Sequence, residues 1–166
     1  NKTPNQKIGY TFDAWYTDTK NSNKFDFNSP NYDIVACYAK WIPNKYTVTF
    51  NYNGGTPGIT EKEVTYDSTY GELPVTGRDG YTFDGWFIGN EKIVADTQVK
   101  ITANTEVKAK WTAKTYTLSF DSKGGSAVAD KTVTYDSAIG MLTIPEKTGY
   151  TFKGWTIDGD LINLTT

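Results

Sequence analysis

The chain has 166 residues, and its 17 Lys and Arg against 19 Asp and Glu give a formal net charge of -2. Nucleic acid is therefore excluded as an expected partner, because phosphate binding depends on clustered Lys and Arg. The absence of His removes the side chain that titrates near neutral pH, and a single Cys excludes internal disulfides. No run of about 18 apolar residues occurs, so no membrane span is predicted in this fragment.

The composition also favours β-structure, because Phe, Trp and Tyr make up 15% of the residues and 15 Gly are available for turns. The chain begins at Asn1, without an initiator Met or an apolar leader. We therefore expect a fragment or a processed piece, whose targeting signal, if it has one, lies outside this sequence.

The sequence repeats itself with a period of roughly 70 residues, which predicts tandem structural units. The strongest match, Gly-Tyr-Thr-Phe followed by Trp three residues later, occurs at residues 9–15, 80–86 and 149–155. Shorter matches join residues 46–50 to 116–120, 64–68 to 133–137, and 39–41 to 109–111. These matches predict three domains, namely residues 1–42 as the C-terminal part of a first repeat, residues 43–113 as a complete second repeat, and residues 114–166 as a third repeat that lacks its last strand.

The complete second repeat begins with a predicted β-hairpin. Tyr46, Val48 and Phe50 alternate with polar residues, which indicates a strand with one buried face. Residues 53–55 read Asn-Gly-Gly and suit a turn, because these residues tolerate positive φ. Residues 63–66 alternate in the same way and are expected to form the second strand of the hairpin.

A short helix is expected after this hairpin. Asp67 and Ser68 are suitable N-cap residues, and residues 68–73 allow one or two helical turns before Pro74. Asp136 occupies the position of Asp67 in the third repeat, so we interpret it as a cap as well.

Two further strands complete the predicted repeat. The third has Tyr81 and Phe83 on one face and is followed by Gly85 and Trp86. The fourth has Val107, Ala109 and Trp111 on one face, between charged residues. The predicted fold class is therefore α+β and β-rich, with tandem β-grasp-like (ubiquitin- or SUMO-like) repeats of about 70 residues, each with four main strands and one short helix. A purely antiparallel sandwich is the alternative.

No catalytic residue is predicted, and neither a cofactor nor a metal ion is expected. Asp84 is matched by Asp13 in the first repeat but by Lys153 in the third, which favours a solvated strand position over a catalytic acid. The carboxylates within residues 18–26 and 158–160 lack the ligand order of a calcium-binding loop.

Cysteine and tryptophan are interpreted as core residues. Cys37 falls at the position of Val107 in the repeat alignment, so we expect it to face inward. The tryptophans recur at two positions, residues 15, 86 and 155 and residues 41 and 111, which favours core packing over a sugar-binding platform. No ligand-binding site is defined by the sequence, and the candidates for surface contacts are Tyr38, Lys40 and Phe87.

The repeated motifs together resemble the Listeria-Bacteroides repeat, which is the B repeat of internalins. The resemblance rests on residues 46–50, the double glycine at 54–55, residues 80–86 and the Ala-Lys-Trp at 109–111, and it covers nearly the whole chain. It implies a β-grasp-like fold, export, and a place in a large multidomain bacterial surface protein, often beside leucine-rich repeats and a C-terminal wall-anchoring signal.

We therefore expect a non-enzymatic repeat segment of an internalin-like surface protein that serves as a stalk or spacer and contributes to adhesion to host cells. The alternative is a dedicated receptor- or glycan-binding module. The expected location is extracellular, at the surface of a Gram-positive cell, with wall attachment through a region outside this chain. The expected partners are a host surface protein or glycan, neighbouring domains of the same protein, and further copies of the chain, because incomplete repeats leave strand edges for end-to-end self-association.

Overall fold

The computed structural model describes residues 3–28 and 36–162. The strands in chain order are β1 (Tyr10–Tyr16), β2 (Tyr38–Pro43), β3 (Lys45–Asn51), β4 (Glu61–Thr65), β5 (Tyr81–Ile88), β6 (Glu91–Ile93), β7 (Thr105–Ala113), β8 (Thr115–Leu118), β9 (Lys131–Thr134), β10 (Thr156–Ile157) and β11 (Asp160–Leu161). The chain divides into two compact units, one of residues 1–76 and 85–110 and the other of residues 77–84 and 111–166. Within the described residues, no helix is long and apolar enough to cross a membrane.

The strands of the middle repeat form one mixed five-stranded sheet with the order β4-β3-β7-β5-β6. β3 pairs antiparallel with β4 and parallel with β7, in a register that places Phe50 opposite Val107. β6 is an antiparallel partner of β5. The parallel pair of β3 and β7 shows that the alternative of a purely antiparallel sandwich is wrong.

The core of the first unit follows the predicted alternation of side chains. Val48, Val107 and Ala109 have no exposed surface, while Lys108 between the last two is exposed. The other buried hydrophobic residues of this unit are Tyr16, Phe50, Tyr52, Val64, Tyr70, Trp86, Ile93 and Val99. The predictions of a half-buried strand over residues 46–50 and of an inward face at Val107 and Ala109 are therefore confirmed.

The predicted short helix over residues 68–73 does not form. The described residues contain strands and no helix, so the α+β class and the β-grasp-like repeat with one helix are wrong, although the prediction of a β-rich chain holds. Asp67 and Asp136 have φ angles of 65° and 61°, which a helix N-cap does not adopt. The Tyr70 amide instead donates a hydrogen bond to the Thr97 carbonyl at 3.0 Å, so the segment is hydrogen-bonded to a distant part of the chain rather than to its own previous turn.

In the first repeat, β1 and β2 form an antiparallel pair with Phe12 opposite Trp41 and a register shift between Phe12 and Ala14. The prediction that Cys37 faces inward is wrong, because its side chain is exposed. Cys37 precedes the first residue of β2, and the described sheet of this repeat contains β1 and β2 alone. No described strand pairs with the chain at Cys37, whereas the corresponding Val107 is paired with Phe50 of β3.

The third repeat contains two antiparallel pairs, β8 with β9 and β10 with β11. Its tryptophan, Trp155, is 7% exposed, and the Trp155 indole donates to the Thr143 carbonyl at 3.0 Å. Trp86 of the middle repeat is 2% exposed. Core packing is therefore confirmed at these two positions, while the tryptophans at positions 15, 41 and 111 are half-buried.

Candidate functional site at the repeat junctions

The first junction between repeats lies within the first unit and is held by main-chain hydrogen bonds. β2 and β3 are separated by Asn44 alone. The Asn44 amide donates to the Gly9 carbonyl at 2.9 Å, and the Asn44 carbonyl accepts from the Tyr66 amide at 2.8 Å. The connector is therefore bonded to one segment of each repeat, which restricts its conformational freedom.

Side chains add a second set of contacts at this junction. The Tyr10 hydroxyl donates to Asp67 Oδ2 at 2.5 Å, and the ring of Tyr10 packs edge-on against that of Tyr66, with centroids 5.5 Å apart. Lys100 donates to the same carboxylate in an ion pair, and the Lys7 ammonium lies 3.8 Å from the centre of the Tyr10 ring. The hydrogen bonds from Lys100 and Tyr10 lower the pKa of Asp67, and the bond to that carboxylate raises the pKa of Tyr10.

The second junction repeats these side-chain contacts within the second unit. The Tyr81 hydroxyl donates to Asp136 Oδ2 at 2.9 Å, and the rings of Tyr81 and Tyr135 pack edge-on with centroids 5.6 Å apart. The hydrogen bond to Asp136 raises the pKa of Tyr81. The Arg78 guanidinium lies 3.8 Å from the centre of the Tyr81 ring, in the place that Lys7 takes at the first junction.

The main chain of the second junction also matches that of the first. β7 and β8 are separated by Lys114 alone, whose amide donates to the Gly80 carbonyl at 2.9 Å and whose carbonyl accepts from the Tyr135 amide at 2.8 Å. We call the four shared residues of each junction the junction clamp. Its members are Gly9, Tyr10, Tyr66 and Asp67 at the first junction and Gly80, Tyr81, Tyr135 and Asp136 at the second.

The clamp requires glycine at its first position for two reasons. Gly9 and Gly80 have φ angles of 75° and 76°, a region that side chains with a Cβ rarely adopt. A Cβ at Gly9 would also overlap the Tyr66 ring, and one at Gly80 would overlap the Tyr135 ring. The recurrence of Gly-Tyr in the sequence therefore reflects the close approach of the next repeat.

The three candidate ligand contacts occupy two different repeats. Tyr38 and Lys40 lie on β2 of the first repeat, where Tyr38 is 40% exposed and the Lys40 ammonium is 3.7 Å from Asp13 Oδ2. Phe87 lies on β5 of the middle repeat, with the Lys110 ammonium 4.3 Å from the centre of its ring. Lys40 and Phe87 thus have partners within the chain.

The carboxylates that sequence analysis considered for catalysis make structural hydrogen bonds. Asp84 accepts from the Thr112 hydroxyl at 2.8 Å. Asp13 accepts from the Tyr16 hydroxyl at 2.7 Å and from Lys24 at 3.0 Å, and these bonds lower the pKa of Asp13. In the part of the chain that the structure describes, no group of three or more His, Cys, Asp and Glu side chains is placed to hold a metal ion.

The sequence analysis identified the Gly-Tyr motif and the aspartates of the clamp but did not predict that they contact each other. It assigned the Gly-Tyr motif to a strand and interpreted Asp67 and Asp136 as helix caps. The cap interpretation is wrong, because both carboxylates accept from a tyrosine of the preceding repeat. The sequence did contain a signal for this contact, because a Gly-Tyr pair in one repeat is followed by a Tyr-Asp pair in the next repeat at both junctions. The tyrosine hydroxyl of the first pair and the carboxylate of the second can form a hydrogen bond.

Comparison with known proteins supports the repeat assignment. A family model described as the Listeria-Bacteroides repeat domain matches residues 2–40, 46–110 and 116–165, which confirms the resemblance inferred from the motifs. The chain is 35% identical over 159 residues to an Evansella cellulosilytica protein whose name describes a Gly-rich membrane protein. It is 34% identical over 160 residues to a second protein of that bacterium, also named as a membrane protein. These alignments cover 93% and 94% of the chain.

A third relative is internalin H of Listeria monocytogenes, which is 40% identical over 84 residues, or 49% of the chain. The chain spans less than a quarter of each relative, namely 18% and 24% of the two Evansella proteins and 15% of internalin H. No solved structure matches the chain at a significant level.

Proposed function

Because the chain belongs to the Listeria-Bacteroides repeat family, we propose that it is a non-enzymatic spacer segment of a bacterial cell-surface protein. In this role the junction clamp holds each repeat against the next. The proposed surface location draws on the similarity to internalin H and to relatives named as membrane proteins. The chain spans less than a quarter of these relatives, and in this proposal wall attachment and any enzymatic activity of the whole protein belong to regions outside it.

The observation that carries this proposal is the repetition of the clamp. A flexible linker is rich in Gly and Ser and makes few contacts, so the domains it joins move independently. Here each connector is a single residue, bonded on both sides by main-chain hydrogen bonds and flanked by a Tyr-Asp hydrogen bond. Equivalent residues make these contacts at both junctions. This recurrence is expected if the contacts serve to fix each repeat to the next.

Hydrogen exchange at the junctions tests the proposal. In the full chain, we expect four junction amides to be protected from hydrogen exchange, because each donates a hydrogen bond to a main-chain carbonyl. These are the amides of Asn44, Tyr66, Lys114 and Tyr135. Replacing Gly9 and Gly80 together by Val should remove this protection while the amides of β3 and β7 stay protected. Small-angle scattering of the same variant should show a wider distribution of particle dimensions than the parent chain.

The matched control is Gly149→Val, which changes the same motif in the third repeat, where a Cβ would meet no atom within 4 Å. This variant should leave the protection of the two junctions unchanged. Junction amides that exchange in the parent chain as rapidly as those of an unstructured peptide would contradict the spacer proposal.

A contact role in adhesion is the second candidate, and it rests on Tyr38, which is an exposed aromatic residue on β2. Binding of the labelled full chain to mammalian cells and to purified bacterial cell wall tests it. Saturable binding that is lost in Tyr38→Ala but kept in Phe87→Ala would support adhesion through β2. Absence of saturable binding to both surfaces would leave the spacer role alone.

A further inference from the structure

The turn that follows β3 exposes the pair Asn53 and Gly54 to solvent. The Gly55 amide donates to the Tyr52 carbonyl at 2.9 Å, and Asn53 and Gly54 have φ angles of 49° and 85°. Positive φ at both central residues is typical of a type I′ turn. Asn53 and Gly54 are exposed, whereas Tyr52 before them is buried. The peptide bond between the two central residues is therefore accessible to water.

This pair combines a reactive side chain with an unobstructed main-chain nitrogen. The amide nitrogen that follows an asparagine can attack the asparagine Cγ, and a glycine at the second position has no side chain to hinder the attack. Asn53 is the only asparagine in the sequence that is followed by glycine. The Asn53 amide donates to Asn51 Oδ1 at 3.0 Å, and among the described residues the Gly54 amide has no acceptor. No hydrogen bond within the described part of the chain therefore has to break to release the attacking nitrogen.

The Asn53 side chain connects the turn to β7. Asn53 Nδ2 donates to the Ala109 carbonyl at 3.2 Å. The last residues paired between β3 and β7 are Asn51 and Lys108, so this bond continues the connection of the two strands into the turn. A carboxylate at position 53 has no proton to donate, and it would place a second acceptor against the Ala109 carbonyl. Conversion of Asn53 to an acid would therefore remove this connection.

The third repeat contains the same turn without the reactive side chain. Lys123 and Gly124 have φ angles of 50° and 83°, and the Gly125 amide donates to the Ser122 carbonyl at 3.1 Å. Lysine has no side-chain carbonyl that the following amide could attack. The turn can therefore form with a residue that does not react, which makes the third repeat an internal control.

We propose that Asn53 is a site of spontaneous deamidation, and that this modification detaches the turn from β7. In the first step, the Gly54 nitrogen forms a bond to Asn53 Cγ and loses its proton, while the Cγ–Nδ2 bond breaks and ammonia leaves. Water then opens the resulting five-membered imide. Opening at Cγ gives aspartate, whereas opening at the main-chain carbonyl gives isoaspartate and lengthens the main chain by one methylene group.

The hydrogen bond to Ala109 slows this reaction in the folded chain. It fixes the orientation of the Asn53 carboxamide, and the attack at Cγ removes the donor atom Nδ2. The bond must therefore break before the imide can form. A single hydrogen bond of this kind lowers the population of the released side chain roughly fivefold. The rate of deamidation at Asn53 thus depends on how often the turn separates from β7.

Peptide mapping by mass spectrometry tests the proposal. The full chain is incubated in mildly alkaline buffer, which favours the deprotonated nitrogen, and is then digested. We expect Asn53 to be converted on the order of tenfold faster than any other asparagine, because no other asparagine precedes glycine. Urea at a concentration that unfolds the chain should accelerate the conversion at Asn53 by about fivefold or more. Conversion at Asn53 no faster than at the other asparagines would overturn the modification site.

Two variants at position 53 complete the test. Asn53→Lys copies the third repeat and should show no mass change in this peptide. Asn53→Asp copies one reaction product, and the β7 amides next to Ala109 should exchange faster with solvent in this variant before any incubation. An equal mass change in Asn53→Lys would place the modification at another residue and overturn the assignment. Unchanged exchange of β7 in Asn53→Asp would overturn the detachment.

Discussion

The middle and third repeats have matching motifs, but among the described residues a strand such as β7 is found in the middle repeat and not in the third, and the strands that would lie on either side of it differ in length. β3 has seven residues and its counterpart β8 has four. β5 has eight residues, while the matching segment of the third repeat contributes only the two residues of β10. Both strands that flank β7 in the middle repeat are therefore longer than their described counterparts in the third repeat.

The contacts that the two repeats share are local. The tryptophan indole donates to a carbonyl twelve residues earlier in both, from Trp86 to Pro74 at 2.9 Å and from Trp155 to Thr143 at 3.0 Å. Lys62 donates to the Glu72 carbonyl at 2.6 Å, and its counterpart Lys131 donates to the Met141 carbonyl at 2.7 Å. These contacts between neighbouring segments are therefore present in both repeats, whereas the described residues form a five-stranded sheet in the middle repeat and two two-stranded sheets in the third.

The largest expected effect is the loss of stability when the buried tryptophan of each repeat is replaced by alanine. Trp86→Ala should destabilise the first unit by about 3–5 kcal/mol, because Trp86 is 2% exposed and packs on the rings of Phe50 and Tyr52. Trp155→Ala should cost less, since its ring borders an open cavity. Urea unfolding followed by hydrogen exchange in each unit measures both losses. Equal losses would contradict the view that β7 determines how tightly each repeat is packed.

The next effect compares glycines at the same motif position. Gly80→Ala should destabilise the second unit by about 2–4 kcal/mol, because it combines a positive φ with a clash against the Tyr135 ring. Gly149 has a φ of 78°, but a Cβ there meets no atom within 4 Å, so Gly149→Ala should cost only the backbone term of about 1–2 kcal/mol. Thermal unfolding of the two variants gives the difference, and a Gly149→Ala cost as large as that of Gly80→Ala would count against the clamp.

A smaller effect should appear in the pH dependence of the first junction. The pKa of Asp67 is lowered in the folded chain. The Asp67 carboxylate therefore stabilises the folded state above its unfolded pKa, near 3.9, and this stabilisation is lost as the pH falls through the folded pKa. The pKa of Tyr10 is raised in the folded chain, so its neutral hydroxyl stabilises the folded state below about pH 10, and this stabilisation is lost as the pH rises through the folded pKa.

Ring resonances of Tyr10 and Tyr66, followed against pH, should therefore show an acidic and an alkaline transition. Asp67→Asn should abolish the acidic transition while leaving the chain folded. An acidic transition of the same size in this variant would show that another carboxyl group causes it.

The smallest expected effect concerns a surface ion pair found in the middle repeat. Lys45 and Glu63 are 2.7 Å apart, but both side chains are largely exposed, and the corresponding residues of the third repeat are Thr115 and Thr132. Glu63→Gln should change the free energy of unfolding by no more than about 0.5 kcal/mol, because water and salt screen such pairs. A shift in the urea midpoint that corresponds to more than about 1 kcal/mol would show that this pair, rather than β7, contributes to the difference between the repeats.

The sequence by itself determined the family and the inward face of the middle repeat. Val48, Val107 and Ala109 could be assigned to the core because a period of two is set by the pleat of a strand, independently of its neighbours. Trp86 and Trp155 could be assigned to the core as well, since a unit of this size needs large side chains to fill its core.

Only the tertiary structure decided the direction of strand pairing, the absence of the helix and the purpose of the Tyr-Asp motif. Residues 68–73 have a suitable cap sequence, but hydrogen bonds to the segment around Thr97 outweigh the local preference. Cys37 and Val107 share a position in the repeat but differ in burial, and Val107 lies in a strand paired with β3, whereas no described strand pairs at Cys37. Local patterns report which side of a strand is apolar, whereas the partner that covers it lies elsewhere in the chain and leaves no mark at that position.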